Sequence, residues 1–471
     1  MRPVIAVSMS ALSAAAALGA APPPPARPNV LFIAVDDLRP EFSAYGATQI
    51  HAPNLDRLAS ESMRFDRAYC MVPTCGASRA SMLSGVRPTP TRFITYQARA
   101  DLETPWATTL NTQFQRQGYH TVSLGKVFHF AEDNADGWTD PAWQPDAPLY
   151  QIQENIGPGD QARFGYPIEH ADVPDEAYAD GMLAQEAVKR LGALAANPNQ
   201  PFFLAVGFYR PHLPFVAPQK YWDLYPPESI HLPDNYAPPE NVPEEAMHRW
   251  AELRSYNKVP KNGPLTDAMA KELIRGYYAC VSYADAQVGK VLAELERLGL
   301  ADNTIVVLWG DHGWNLGDHS LWSKHCTFET AMRVPLLVKA PGIAPGHTDG
   351  LTESIDILPT LCELADLPIP ASAEGKSFVP LLRQPNRPWA LAAVGRFQTG
   401  DTIRTDQYRY SEYHADKGEG AYQSRMIYDH RADPAETRNI AEQPELQATA
   451  AELRETLHRA VTATREAVPI K

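Results

Sequence analysis

The sequence predicts an α/β fold: a large, mainly parallel sheet flanked by helices, followed by a smaller C-terminal α+β subdomain. Continuous apolar runs of strand length alternate with helical patterns through most of the chain. Such runs are typical of strands buried on both faces of a parallel sheet, and the alternation predicts helices on both of those faces. From about residue 390 onward, short strand-like runs and polar turns replace this pattern. The change predicts a second, smaller unit.

The predicted elements follow these patterns in chain order. Predicted strands of the main sheet occupy residues 29–35, 119–124, 202–208, 304–309 and 334–338. Predicted helices occupy residues 55–62, 109–117, 177–194, 269–298 and 355–364. The C-terminal unit has predicted strands at 393–397, 408–413 and 426–428 and a closing helix at 445–466. Pro-rich insertions at 141–174 and 226–264 are expected to form long loops that wall a cleft.

The chain is predicted to begin with a secretory signal peptide. Residues 1–21 combine one basic residue, an apolar stretch and small residues, which is the signal-peptide pattern. The apolar run is short and Ala-rich, so we expect no stable membrane anchor. A Pro-rich linker (22–28), an N-terminal catalytic domain (29–388) and a C-terminal subdomain with a small antiparallel sheet and a terminal helix (389–471) are predicted to follow. We therefore expect an exported protein, either periplasmic or secreted.

Charge and cysteine content narrow the function classes. The formal net charge of −14 argues against a general nucleic-acid binder, which normally carries a basic excess. The negative net charge is still compatible with an anionic substrate, because local cations can reverse the electrostatic potential at one site.

The cysteine count is odd. Five cysteines in an exported protein leave one unpaired or modified, and Cys75 is the candidate. For the other four, three disulfide pairings and simple buried thiols remain open.

Acidic residues follow two of the predicted strands. Asp36 and Asp37 come directly after the first strand, and Asp311 and His312 follow the strand at 304–309. Ligands of open α/β sheets bind beyond the carboxyl ends of the strands, so these residues would converge if both strands are central. Packed carboxylates repel one another and need a cation, and oxygen ligands favour Ca²⁺ or Mg²⁺. The alternative is that each pair merely caps a turn or helix.

A short run between these clusters carries a candidate nucleophile. Residues 75–79 read Cys-Gly-Ala-Ser-Arg, at the predicted start of a helix. The thiol of Cys75 therefore lies four residues before the permanent cation of Arg79. A nucleophile and an anion can meet at such a place.

These motifs resemble the type I, formylglycine-dependent sulfatases, most closely the iduronate-2-sulfatase-like branch. The family signature is usually Cys-x-Pro-x-Arg, and Ala77 stands here where Pro is commonest. The resemblance extends in order over residues 29–37, 52–56, 75–88, 125–129, 202–214, 311–324 and 428–440. It implies an alkaline-phosphatase-like sandwich. It also implies a Ca²⁺ ion, less readily Mg²⁺, held by Asp36, Asp37, Asp311, His312 and modified Cys75.

The resemblance further implies a covalent mechanism. A maturation enzyme would oxidise Cys75 to formylglycine, whose hydrate attacks a sulfate ester and then expels sulfate as the aldehyde re-forms. Arg79, Lys126 and Lys324 would stabilise the negative charge on the sulfate group.

Two histidines are assigned the proton transfers on the same basis. His212 would protonate the departing alcohol oxygen, and His129 would take the proton from the second hydroxyl of the hydrate. Substrate contacts are assigned to Lys126, His212, Lys324 and Arg210. The branch likeness implies a sulfated sugar, such as a 2-O-sulfated uronic acid of a polysaccharide.

Two other functions compete with the sulfatase interpretation. A phosphatase or phosphonate monoester hydrolase of the same fold would share the metal cluster, but such enzymes often use Ser or Thr as the nucleophile. A catalytically silent sugar-sulfate binder would result if Ala77 prevented maturation and Cys75 stayed a thiol. Cys75 together with Arg79 favours the sulfatase.

Overall fold

The structure is a computed structural model that describes residues 27–416 and 420–466. The predicted signal peptide (1–21) and most of the predicted linker lie outside the described residues. Among the described helices, none combines the length and the apolar character that a membrane span requires.

The strands and helices are numbered here in chain order. The strands are β1 (Asn29–Val35), β2 (Met63–Phe65), β3 (Ala68–Tyr69), β4 (His120–Gly125), β5 (Ile168–Glu169), β6 (Phe202–Phe208), β7 (Phe215–Val216), β8 (Thr304–Gly310), β9 (Asn315–Leu316), β10 (Trp322–Ser323), β11 (Arg333–Val334), β12 (Leu336–Lys339), β13 (Gly346–Thr348), β14 (Thr352–Glu353), β15 (Ala392–Phe397), β16 (Gly400–Thr405), β17 (Tyr408–His414) and β18 (Tyr422–Asp429). The α-helices are α1 (Pro53–Ser60), α2 (Cys75–Ser84), α3 (Ala100–Glu103), α4 (Leu110–Arg116), α5 (Ala179–Ala195), α6 (Gln219–Trp222), α7 (Ala251–Arg254), α8 (Asp267–Arg297), α9 (Glu329–Met332), α10 (Ile357–Leu364), α11 (Val379–Arg383) and α12 (Gln447–Glu466).

The main sheet has seven strands in the order β13-β2-β12-β8-β1-β6-β4. The neighbours β8, β1, β6 and β4 are all parallel, whereas β12 is antiparallel to β8. The predicted, mainly parallel sheet is thus confirmed. The predicted strand at 334–338 is wrong as a single element, because the chain divides at Pro335: β11 pairs with β3, and β12 joins the main sheet. Proline has no N–H to donate to a strand ladder.

Helices cover both faces of this sheet, as the alternating pattern predicts. Leu31 and Ile33 of β1 enter a core built with α1, α5 and α8. Val30 and Phe32 enter a second core built with α2, α4 and α10. Because side chains alternate along a strand, one continuous apolar run fills both cores. The side chains of β1 are essentially inaccessible to solvent.

The C-terminal subdomain is a four-stranded antiparallel sheet in the order β15-β16-β17-β18. Leu453 and Leu457 of α12 pack on Ile403, Tyr410 and Ile427 of this sheet. Strand β16 has no counterpart in the sequence prediction, because its polar sequence, Gly-Asp-Thr-Ile-Arg-Thr, lacks a strand-like apolar run. The domain boundary at 388/389 stays a prediction.

All five cysteines are buried and free. The four cysteines other than Cys75 are therefore simple buried thiols, namely Cys70, Cys280, Cys326 and Cys362. None of their three possible disulfide pairings is formed.

Candidate active site

The central strands place two polar pairs at one edge of the main sheet. Because β1 and β8 are parallel neighbours in register, Asp36 and Asp37 leave the sheet beside Asp311 and His312. The Asp37 backbone N–H donates to Asp311 Oδ1 at 3.0 Å. Asp37 adopts the left-handed backbone region, with φ at 62°, which Asp tolerates better than most residues. The structure thus brings together the four residues predicted to converge here.

Helix α2 brings Cys75 to the same point. Cys75 is the first residue of the helix and is almost fully buried. Its Sγ lies 3.2 Å from His312 Nε2 and 3.9 Å from Asp37 Oδ1. Gly76 has no room for a side chain, because a Cβ there would lie 1.9 Å from the carbonyl oxygen of Tyr96. The close approach of that loop explains the need for glycine beside the predicted nucleophile.

Arg79 lies one helical turn after Cys75, on the same face of α2. Its Nε donates to Asp311 Oδ2 at 2.9 Å and its Nη2 to Asp36 Oδ1 at 3.1 Å, while Nη1 donates to the Val127 carbonyl oxygen at 3.0 Å. Burial alone would lower the pKa of Arg79, but the two carboxylates outweigh it and raise the pKa. The guanidinium therefore stays charged and fixed in one orientation.

The side-chain atoms that could ligate a metal at this edge of the sheet suit a divalent cation. The donor atoms of Asp36, Cys75, Asp311 and His312 lie within 4.8 Å of one another, as do those of Asp36, Asp37, Cys75 and His212. Burial raises the pKa of the Asp37 carboxyl, with Asp36 adding to the effect, even though Lys324 lies nearby. Crowded, buried carboxylate oxygens are the ligands that hard divalent cations prefer. The imidazole of His312 is compatible with a wider range of metals.

Two lysines supply further positive charge. Lys126 follows β4, and its ammonium group pairs with Asp36. Lys324 Nζ lies 3.0 Å and 3.2 Å from the two carboxylate oxygens of Asp37. Ser323 and His325, on either side of Lys324, both have positive φ, at 74° and 57°. Such backbone strain in non-glycine residues is concentrated at functional sites.

His212 reaches the site from the loop after β6. Asp180 anchors this loop by accepting hydrogen bonds from the backbone N–H groups of Tyr209 and Arg210, each at 2.8 Å. The buried guanidinium of Arg210 donates to the carbonyl oxygens of His212 and Pro214. Arg210 thus holds the loop that carries His212, and its contact with a substrate stays a prediction.

His129 lies at the margin of the site. Its ring packs edge-on against Tyr96, with centroids 5.8 Å apart, and its buried Nδ1 has no hydrogen-bond partner. Burial lowers the pKa of His129 to about 3, with Lys126 adding to the effect. A neutral imidazole with a free nitrogen can accept or donate a proton, although the assignment of His129 as a base stays a prediction.

Glu252 is a site residue that the sequence analysis missed. It lies on α7, within the Pro-rich insertion at 226–264. Its Oε1 lies 3.0 Å from Lys324 Nζ and 3.1 Å from His212 Nε2, whereas its buried Oε2 has no partner. The insertion is predicted as a cleft wall, but nothing in the local sequence distinguishes this glutamate from its neighbours.

A cavity of about 340 Å³ opens beside the nucleophile position. Thr74, which precedes Cys75, lines it together with His248 of the insertion and Phe397 of the C-terminal subdomain. The ring of His325 stacks on Phe397 with centroids 5.4 Å apart. The start of α2, the Pro-rich insertion and the C-terminal subdomain therefore jointly line this cavity.

Comparison with known proteins identifies the family. A family model described as Sulfatase matches residues 28–367, and one described as N-sulphoglucosamine sulphohydrolase, C-terminal, matches residues 317–463. Iduronate 2-sulfatase of Mus musculus is 34% identical over 391 residues, which cover 74% of this chain and 71% of that protein.

Solved structures share the fold. A 2-O glycosaminoglycan sulfatase has a TM-score of 0.71 and 25% identity, covering 93% of both chains. A phosphonate monoester hydrolase from Silicibacter pomeroyi has a TM-score of 0.75 and 23% identity, covering 93% of this chain and 96% of that one. The predicted alkaline-phosphatase-like architecture is therefore confirmed. The similarity to the phosphonate monoester hydrolase supports the fold only and not the reaction. Taken with the sulfatase model that spans the main sheet, these findings establish that the chain belongs to the sulfatase family and is a sulfuric ester hydrolase.

Proposed function

We propose that the protein hydrolyses sulfate esters of a sulfated carbohydrate, using a formylglycine formed at Cys75 and a bound Ca²⁺ ion. The observation that carries this proposal is the position of Cys75. Its sulfur lies among the carboxylates at the ends of β1 and β8, one helical turn from the fixed guanidinium of Arg79. A hydrated formylglycine at this position supplies a hydroxyl nucleophile.

Asp36, Asp37, Asp311, His312 and modified Cys75 would hold the cation. Ca²⁺ is proposed because carboxylate oxygens dominate this set. When bound, the ion supplies positive charge that polarises a sulfate oxygen.

The residues around Cys75 can perform the remaining tasks. Arg79, Lys126 and Lys324 present fixed positive groups to the charge that develops on sulfate. His212 is proposed to donate the proton to the leaving alcohol oxygen. Burial would lower its pKa, but Asp37 outweighs this and raises the pKa to about 10, so the ring carries the proton that a general acid needs. His129, which is neutral, is proposed as the base.

The substrate proposal draws on the relatives and on the cavity. The similar curated protein is named iduronate 2-sulfatase, and the similar solved structure is a 2-O glycosaminoglycan sulfatase. A cavity of about 340 Å³ with an aromatic wall suits a sugar ring. We therefore propose a 2-O-sulfated uronic acid, or a similar residue of a polysaccharide, as the substrate.

The position of Ala77 bears on maturation rather than on the folded site. Ala77 is the third residue of α2 and is fully buried. Backbone N–H groups in the first turn of a helix have no intrahelical partner, so alanine and proline are both compatible with this position. We propose that a formylglycine-generating enzyme accepts this Ala-containing motif.

We also propose that residues 29–388 form the catalytic domain and that the protein is exported after cleavage of residues 1–21.

Peptide mass spectrometry and a substrate panel test the proposal together. After expression with a maturation enzyme, the peptide containing Cys75 should be about 18 Da lighter than its thiol form. The protein should then release sulfate from sulfated uronic-acid oligosaccharides faster than phosphate from matched phosphate esters.

Each alternative function predicts a different result in the same experiment. An unmodified thiol without activity would support the silent sugar-sulfate binder. Preferential turnover of phosphate or phosphonate esters would support the alternative hydrolase.

A further inference from the structure

A second group of metal-ligating side chains lies on the C-terminal sheet, apart from the proposed catalytic residues. Glu412 and His414 are two positions apart on β17, and His458 faces them from α12. One ligand atom from each of the three residues lies within 4.8 Å of the other two. Two imidazoles and one carboxylate thus meet where the terminal helix packs on the sheet.

The distances in this cluster centre on one carboxylate oxygen. Glu412 Oε2 lies 2.6 Å from His458 Nε2 and 3.5 Å from His414 Nε2. Glu412 is almost fully buried, whereas about half of the His458 side chain is exposed. A small ion can therefore reach the cluster from the side of His458.

Neighbouring groups orient the carboxylate and one of the imidazoles. The other oxygen of Glu412, Oε1, accepts from Tyr410 Oη at 2.5 Å and pairs with Arg454 Nε at 3.0 Å. His414 Nδ1 lies 3.3 Å from the Gly420 carbonyl oxygen, which can only accept a hydrogen bond. A neutral His414 therefore carries its proton on Nδ1 and directs the Nε2 lone pair towards Glu412 Oε2. A cation between these atoms would stabilise that arrangement, and this orientation by a carbonyl is typical of metal-binding histidines.

We propose that Glu412, His414 and His458 form a zinc site that fastens α12 to β17. Two histidines, one carboxylate and a water molecule are a ligand set that Zn²⁺ accepts in tetrahedral geometry, whereas Ca²⁺ prefers oxygen ligands. Ligand atoms at about 2.0–2.1 Å from the ion would stand roughly 3.4 Å apart. His458 would therefore have to move away from Glu412 by a fraction of an ångström, which its exposed position on the helix allows. Arg454 opposes cation binding, but it contacts the other carboxylate oxygen.

Calorimetric titration of the full chain with zinc chloride, in saturating Ca²⁺, tests the proposal. Calcium is included so that the site at Cys75 does not compete for zinc. We expect one zinc ion per chain, binding at least tenfold more weakly in His458→Gln and in His414→Ala, and unchanged in His231→Ala. His231 is an exposed histidine outside the cluster and serves as the matched control. Zinc should also raise the melting temperature of the wild type but not of His458→Gln.

Three results would overturn the proposal. They are the absence of zinc binding at micromolar concentration, equal binding by the wild type and His458→Gln, and loss of zinc binding in Cys75→Ala with retention in His458→Gln. The last result would place the zinc at the proposed catalytic centre. Sulfatase activity in His458→Gln should equal that of the wild type, so failure of the zinc site is distinguishable from failure of the proposed function.

Discussion

Asp36, Asp37 and Asp311 follow central strands of the main sheet and form the strand wall of the candidate active site, whereas His212 and Glu252 form its loop wall. His212 lies on the loop after β6, and Glu252 lies on the four-residue helix α7 within the Pro-rich insertion. The three aspartates are completely buried. The side chains of His212 and Glu252 are 24% and 19% exposed. The strand wall is held by two cores that share the strand β1. The loop that carries His212 is held by hydrogen bonds to Asp180 of α5 and by Arg210 of the loop itself.

The difference suggests a division of labour between the two walls. Rigid strand ends suit groups that must meet the reacting atoms in one geometry. Loops vary without disturbing the core, so they suit groups that adapt the site to a particular substrate. Changes on the strand wall should therefore abolish the reaction, and changes on the loop wall should adjust it.

Replacement of the nucleophile should have the largest effect. In Cys75→Ala we expect sulfatase activity to fall by roughly 10⁴-fold or more, because no covalent route remains. Circular dichroism and the melting temperature should stay close to those of the wild type. Cys362→Ala is the matched control, since Cys362 is a buried free thiol of α10 outside the site, and it should retain activity. Appreciable turnover by Cys75→Ala would contradict the assignment.

Weakening the metal site should have the next largest effect. We expect Asp311→Asn to lower activity about thousandfold or more, with partial recovery at high Ca²⁺, because one charged ligand is lost. Asp285→Asn is the control for altering a buried aspartate, since Asp285 caps α1 through Leu55 N–H. Its activity should not depend more strongly on calcium than that of the wild type. The measurement is the activity of both variants and of the wild type across a calcium titration, after bound metal has been removed with a chelator. Equal calcium dependence of Asp311→Asn and the wild type would contradict the role of Asp311 as a ligand.

The strand wall was also the more predictable of the two from sequence. Continuous apolar runs mark β1, β6 and β8 to within one residue, and the two polar pairs, Asp36-Asp37 and Asp311-His312, follow β1 and β8 directly. A parallel sheet then leaves few ways to arrange their carboxyl ends. The split at Pro335 and the polar strand β16 show where this reasoning fails, because pairing partners there depend on the tertiary fold.

The loop wall could be predicted only in part. The motif around His212 is recognisable, but the burial of Arg210 against its own loop is not, because an arginine in sequence gives no sign of which carbonyl oxygens it will meet. The place of Glu252 in the site is harder still to predict from the sequence. This glutamate reaches Lys324, 72 positions away in the chain, through a loop whose path no periodic pattern encodes.

Loss of the proposed general acid should have an intermediate effect. We expect His212→Gln to lower kcat about 10²-fold or more for substrates with a poor leaving group, because the departing alcohol oxygen would no longer receive a proton. An activated aryl sulfate, whose leaving group needs no proton, should be affected much less. Equal losses for the two substrates, measured side by side, would argue against His212 as the acid.

The smallest and most selective effect is expected at Glu252. Burial would raise its pKa, but Lys324 and His212 outweigh this and hold the pKa well below the usual range, so Glu252 stays ionised at all working pH values. In Glu252→Gln the negative charge that orients both cations is lost, and kcat should fall about tenfold, the size of one charge-assisted hydrogen bond. KM should not rise, because removing an anion from the sulfate pocket also removes repulsion of the substrate. Glu228→Gln, at an exposed position of the same insertion and outside the cavity, is the matched control. A rise in KM at constant kcat would instead assign Glu252 to direct binding of the sugar, and the loop wall would then contribute to substrate affinity rather than to orientation of the catalytic cations.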